Sequence, residues 1–114
     1  MERLWILIRA LPNRKEGDIQ KAICFYLKTK GYFFWREGNQ RRTKDGRHFK
    51  SKFEINGKPD IFLFYNGTTI GLEVKTKKGR QSPSQIEFEK LWSHFGLRVY
   101  RIVRSVEEVM ALGL

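Results

Sequence analysis

The chain has 114 residues, enough for one domain with a hydrophobic core and too few for two. An apolar fraction of 40% and nine phenylalanines exclude global disorder. A net charge of +11 is far from that of an ordinary soluble enzyme and points to a polyanion as partner, DNA or RNA ahead of an acidic membrane surface.

The expected organisation is one domain over 1–114, with residues 1–15 as an N-terminal arm. Within the arm, LWILIRAL (4–11) is a short apolar run, read as a strand or packing arm and ended by Pro12. It is too short for a signal-peptide core, and no stretch reaches the roughly 18 apolar residues of a membrane span. From Glu16 to Thr29 the apolar residues Ile19, Ala22, Ile23, Tyr26 and Leu27 recur at helical spacing, and Gly31 stops the helix. Cys24 lies inside that pattern and has no second cysteine to pair with, which fits a reducing, cytoplasmic location. YFFW (32–35) reads as a strand. Residues 36–58 are basic and aperiodic, a long loop or a ragged hairpin through HFKSKFEI.

Two strands follow, 60–65 and 69–75, joined at Asn66-Gly67. In the second, Ile70, Leu72 and Val74 face one way, and Thr69, Gly71, Glu73 and Lys75 the other. Ser82-Pro-Ser-Gln85 is a capping box opening a helix to about Phe95, expected to bury Phe88, Leu91, Trp92 and Phe95. LRVYRIV (97–103) is a last strand. Ser105 and Glu108 form a second capping box before a short helix. This order gives a small α/β domain with a mixed central β-sheet flanked by helices.

PDIFLFYNGTTIGLEVK (59–75) sets Asp60, Glu73 and Lys75 among strand-forming residues. Two carboxylates brought together repel one another, and a divalent ion with a taste for oxygen ligands relieves that repulsion. A lysine beside it can orient water or offset charge on a phosphoryl group. Glu16 continues the inward stripe of the first helix, and Gln85 stands three residues before Phe88 on the stripe of the second. The bland alternatives are a solvated strand pair at Glu73 and Lys75, a turn residue at Asp60, and ordinary helix starts at Glu16 and Gln85. His48 and His94 read as surface groups, and no paired-cysteine motif supports zinc.

EGDIQ (16–20), GKPD (57–60), GLEVK (71–75), GRQSPSQ (79–85) and GLRVYRIVRSVEEV (96–109), in that order, resemble the VRR-NUC family of the PD-(D/E)xK nuclease superfamily, over roughly residues 16–112. The resemblance implies a restriction-endonuclease-like core in which Asp60, Glu73 and Lys75 are catalytic. Glu16 is a further acid, Gln85 an orienting amide, and the Val74 carbonyl an added ligand to Mg²⁺ or Mn²⁺. It also implies a 5′ phosphate and 3′ hydroxyl product. Small members of this kind are similar to phage and bacterial proteins, including homodimers that cut branched DNA. A homodimer acting on Holliday junctions in a bacterial or phage-infected cell is therefore expected.

The basic side chains expected to hold DNA phosphates are Arg36, Arg41, Arg42, Lys44, Arg47, Lys50 and Lys52, followed by Lys77, Lys78 and Arg80. Trp35, Phe49 and Phe53 are expected in the core, with stacking on an unpaired base as the other option. LWILI and YFFW are candidate dimer surfaces. The competing readings are a non-catalytic nucleic-acid-binding module and a sequence-specific restriction endonuclease.

Overall fold

The computed structural model describes residues 15–37, 41–42, 48–49, 53, 55–95 and 99–114, with backbone alone at 41–42 and 48–49. The apolar arm read at 4–11 and most of the basic loop lie outside the described residues. Helix α1 (Glu16–Thr29) buries Ile19, Ala22, Ile23, Tyr26 and Leu27, the positions its periodicity selects. It ends at Lys30, followed by Gly31 at φ 83°, a left-handed backbone that costs glycine little. Strand β1 (Phe33–Arg36) follows, and then β2 (Arg41–Arg42) and β3 (His48–Phe49) pair as a minimal antiparallel ribbon.

Strands β4 (Ile61–Tyr65) and β5 (Thr68–Val74) form a hairpin around Asn66 and Gly67. Both turn residues have positive φ, 48° and 75°, as a two-residue turn that matches strand twist requires. Helix α2 (Pro83–His94) then crosses over to β6 (Val99–Val103), which lies parallel to β5, and α3 (Val106–Ala111) closes the chain. The sheet order is β1–β4–β5–β6, antiparallel except for the last pair. This is the mixed sheet expected of a small restriction-endonuclease-like α/β core.

One face of the sheet packs Ile61, Leu63, Leu72, Val74 and Val103 against α1 and α3 in a continuous core. The other face receives α2 through Trp92. A Cβ added at Gly71 would meet the Trp92 ring at 3.2 Å and Pro59 at 3.1 Å, so the glycine is what lets the indole lie on the strand. Covered on both sides, β5 buries every residue from Ile70 to Val74, and its in–out alternation becomes a division between two interiors.

Two expectations need correction. Helix α2 buries only Trp92, with Phe88 half-buried against it, whereas Leu91 and Phe95 are exposed. Ser105 accepts the Glu108 N–H at 3.2 Å, but that single bond is the only half of the second capping box that forms.

Candidate active site

The hairpin register brings the carboxylates together. Ile61 pairs with Leu72, so one step further Asp60 comes level with Glu73. Asp60 Oδ2 accepts the Val74 N–H at 2.7 Å, and its carbonyl accepts the Glu37 N–H at 2.7 Å, tying it to both neighbouring segments. The approach to Asp60 depends on Gly57. At φ 82°, its missing Cβ would stand 2.2 Å from the Ser84 carbonyl oxygen, so the loop presses directly on the first turn of α2.

Glu73 is 0% exposed and Lys75 8% exposed, which rules out the solvated-pair alternative. Glu73 Oε1 accepts the Tyr100 hydroxyl at 2.7 Å. Its Oε2 is buried and meets no hydrogen-bond donor among the described residues. The Lys75 N–H donates to the Val103 carbonyl at 3.0 Å, extending the parallel ladder one residue past the strand.

Burial raises the pKa of both carboxyls. At Asp60 the rise is opposed by the Val74 N–H, then by Lys75, Arg36 and a hydrogen bond from Gln20. At Glu73 it is opposed by Tyr100, Gln81 and Lys75, while the charge of Asp60 adds to it. Burial and the adjacent Glu73 push the Tyr100 hydroxyl far above its ordinary value, so it stays a donor. Among the described residues no three His, Cys, Asp or Glu side chains come together as a metal-binding group. A hard ion that keeps several waters needs only one or two carboxylates. A buried, undonated carboxylate oxygen level with a second carboxyl fits such an ion.

The remaining expected residues are distributed unevenly. Glu16 is half-exposed in the first turn of α1, and nothing described ties its side chain to Asp60 or Glu73. One turn further along the same row, Gln20 is buried, receives Arg36 Nε on Oε1 and is close enough to Asp60 to lower its pKa slightly. Gln85 forms the capping box: its Oε1 accepts the Ser82 N–H at 2.8 Å and its N–H donates to Ser82 Oγ at 3.3 Å. Gln81 donates from Nε2 to Glu89 Oε1 at 3.0 Å, and it lies close enough to Glu73 and Tyr100 to lower the pKa of both. Sequence reasoning missed Gln20, Gln81 and Tyr100. Only Gln20 carried a signal, its place four residues after Glu16. Tyr100 follows from a register, opposite Gly71, that no local pattern encodes.

Of the basic residues, Lys77, Lys78 and Arg80 are exposed on the loop that leaves Lys75, and Arg36 engages Gln20. Only the backbone of Arg41 and Arg42 is described, and Lys44, Arg47, Lys50 and Lys52 lie outside the described residues. Trp35 and Phe53 are exposed, against the expectation of core packing. His94 is a surface group set edge-on to Phe95.

No family model matches the chain, and no curated protein does. Among solved structures, a VRR_NUC domain is similar in fold, with a TM-score of 0.59 at 22% identity, covering 85% of this chain and 91% of that one. At that identity the likeness is one of fold alone.

Proposed function

We propose that the protein is a Mg²⁺- or Mn²⁺-dependent endonuclease that hydrolyses phosphodiester bonds in DNA. The observation that carries this reading is Glu73: a fully buried carboxylate with one oxygen that meets no donor among the described residues, level with Asp60 and two residues from a buried lysine. A structural carboxylate at such depth would have both oxygens hydrogen-bonded. Asp60, Glu73 and the Val74 carbonyl would hold the ion, with Glu16 reaching it through water. When bound, the ion polarises the phosphoryl group and makes water a better nucleophile at neutral pH.

The chain's own residues do the rest. Lys75 orients the attacking water in line with the leaving 3′ oxygen and offsets charge on the phosphoryl oxygens. Tyr100 fixes the Glu73 carboxylate, the Val74 N–H fixes Asp60, and Gln85 holds the start of α2 beside the loop that carries Asp60. Lys77, Lys78 and Arg80, with Arg36 and the basic residues 41–52, neutralise phosphates on either side of the scissile bond. Nothing resembling a base-reading helix is present among the described residues, which favours recognition of DNA shape, with a branched or Holliday junction as substrate. A two-fold homodimer would present two sites to the two symmetric strands of such a junction. No described helix is long and apolar enough to cross a membrane, and action in the cytoplasm of a bacterial or phage-infected cell fits this reading.

The test is incubation with labelled four-way junction, flap, splayed and linear duplex DNA in Mg²⁺, Mn²⁺ or EDTA, beside Glu73→Ala. Symmetric junction nicks that vanish with EDTA and in the variant are expected. Binding without cleavage in every ion, identical in the variant, would overturn the enzyme reading in favour of a binding module. Discrete fragments from long duplex would instead indicate a sequence-specific endonuclease.

A further inference from the structure

The face of the sheet that holds Glu73 also carries a run of aromatic rings leading out to the open edge. Phe33 and Trp35 of edge strand β1 stand opposite Phe64 and Phe62 of β4. Each pair is nearly parallel, with centroids at 5.3 Å and 24° for Phe33–Phe64 and at 5.6 Å and 25° for Trp35–Phe62. Inward, Phe62 meets Trp92 at 5.6 Å and Trp92 meets Tyr100 at 5.9 Å, and Tyr100 holds the Glu73 carboxylate. Outward, the run ends in exposed ring surface: Phe33 is 69% and Trp35 42% accessible. An edge strand normally protects itself with charge or brevity, not with two uncovered aromatic rings.

The occupant is indicated by charge and by ring type. The chain carries +11, which draws a polyanion to its surface. The nearby acid, Glu37, is already engaged: it accepts Trp35 Nε1 at 2.9 Å and lies 3.7 Å from Lys58. Lys30 and Arg36 flank the pair along the chain. The Phe33 and Trp35 rings stand 6.1 Å apart with their planes at 66°, and aromatic side chains on an open sheet accept unpaired bases, each on its own ring face.

We propose that Phe33 and Trp35 are a stacking platform for unpaired bases, so that the part of the substrate held here is a single-stranded segment next to the scissile bond. This rests on the nuclease reading for its purpose, but the platform can be tested apart from it. In EDTA, where no cleavage is expected, binding of labelled oligothymidylate and of blunt duplex would be measured by anisotropy. The proteins are the wild type, Phe33→Leu with Trp35→Leu, Phe33→Leu alone, and Trp35→Phe. The leucines keep apolar bulk and remove the π faces, and Trp35→Phe keeps a ring while removing the bond to Glu37.

The double variant should lose about a hundredfold in affinity for the single strand, since each stacked base is worth on the order of a tenfold change. It should bind duplex unchanged, with Phe33→Leu intermediate and Trp35→Phe close to wild type. An equal loss on both DNAs, or no loss on either, overturns the platform. So does a shift of the double variant to a smaller species by light scattering, which would make this face a contact between copies. If the double variant melts early, Phe33→Leu and Trp35→Phe still decide the matter. Strand-selective binding in a wild-type protein that cuts nothing in Mg²⁺ or Mn²⁺ would leave the platform standing and remove the nuclease.

Discussion

Glu73 is held in a place that does not suit an anion. Its pKa and that of Asp60 are raised above their ordinary values by burial, so the folded protein binds these protons more tightly than the unfolded chain. Their contribution to stability is therefore full below the ordinary carboxylate range and is lost as pH rises through the folded values. In EDTA the melting midpoint should fall between mild acid and neutral pH. Glu73→Gln should raise it at pH 7.5 by about 1 kcal/mol, on the order of 4 °C for a domain of this size. That advantage should disappear toward pH 4. Adding Mg²⁺ should raise the wild-type midpoint and leave the variant's unmoved, which thermal melts across pH would read. The spacing of Asp60, Glu73 and Lys75 could be seen in the sequence because one hairpin carries all three. Tyr100 could not, because it reaches Glu73 from a strand paired only by the crossover, and Gln20 showed only as a position one turn after Glu16.

Between residue and fold, short loops fix the site by specific bonds. Arg104, just past β6, donates from Nη1 to the carbonyls of Thr76 at 2.6 Å and Gly79 at 2.8 Å, with Lys77 at 3.4 Å. One guanidinium thus closes the turn that presents Lys77, Lys78 and Arg80. Arg104→Ala should cost about 1.5–3 kcal/mol, the range for hydrogen bonds to charged groups. It should also speed tryptic cleavage at Lys77 and Lys78, and unchanged cleavage would dismiss the clamp. Gly57→Ala should be worse, since its Cβ meets backbone at a positive φ. Loss of cooperative melting, or a midpoint drop larger than that of Arg104→Ala, is the expected result. At this scale the helices and the β4–β5 hairpin were legible, because periodicity, caps and the Asn66-Gly67 turn are local signals. The depth of α2 was not. Phe88, Leu91, Trp92 and Phe95 all fit a buried stripe, but only Trp92 finds the gap that Gly71 opens in the sheet.

Over the whole molecule, the sheet divides two kinds of work. One face is an aliphatic core with α1 and α3. The other runs from the buried carboxylates to an open aromatic edge. The net charge of +11 was readable at once, and so was the place of Lys77, Lys78 and Arg80 directly after the strand of Lys75, but the Arg104 bonds that close their loop were not. If those side chains neutralise phosphates, each contact releases condensed counterions, and the logarithm of the binding constant falls by about 0.9 per contact for each unit rise in log salt. Replacing Lys77 and Lys78 together by Ala should therefore flatten that slope by roughly two units on duplex DNA. Binding should weaken alike for duplex and junction, since phosphates carry no information about branching. Titrations in EDTA over a range of salt concentrations would measure both quantities. A variant that loses junction binding while keeping its duplex affinity and slope would show instead that this loop reads branch geometry. The aromatic edge should behave in the opposite way, changing strand preference with no change in slope, because stacking releases no counterions.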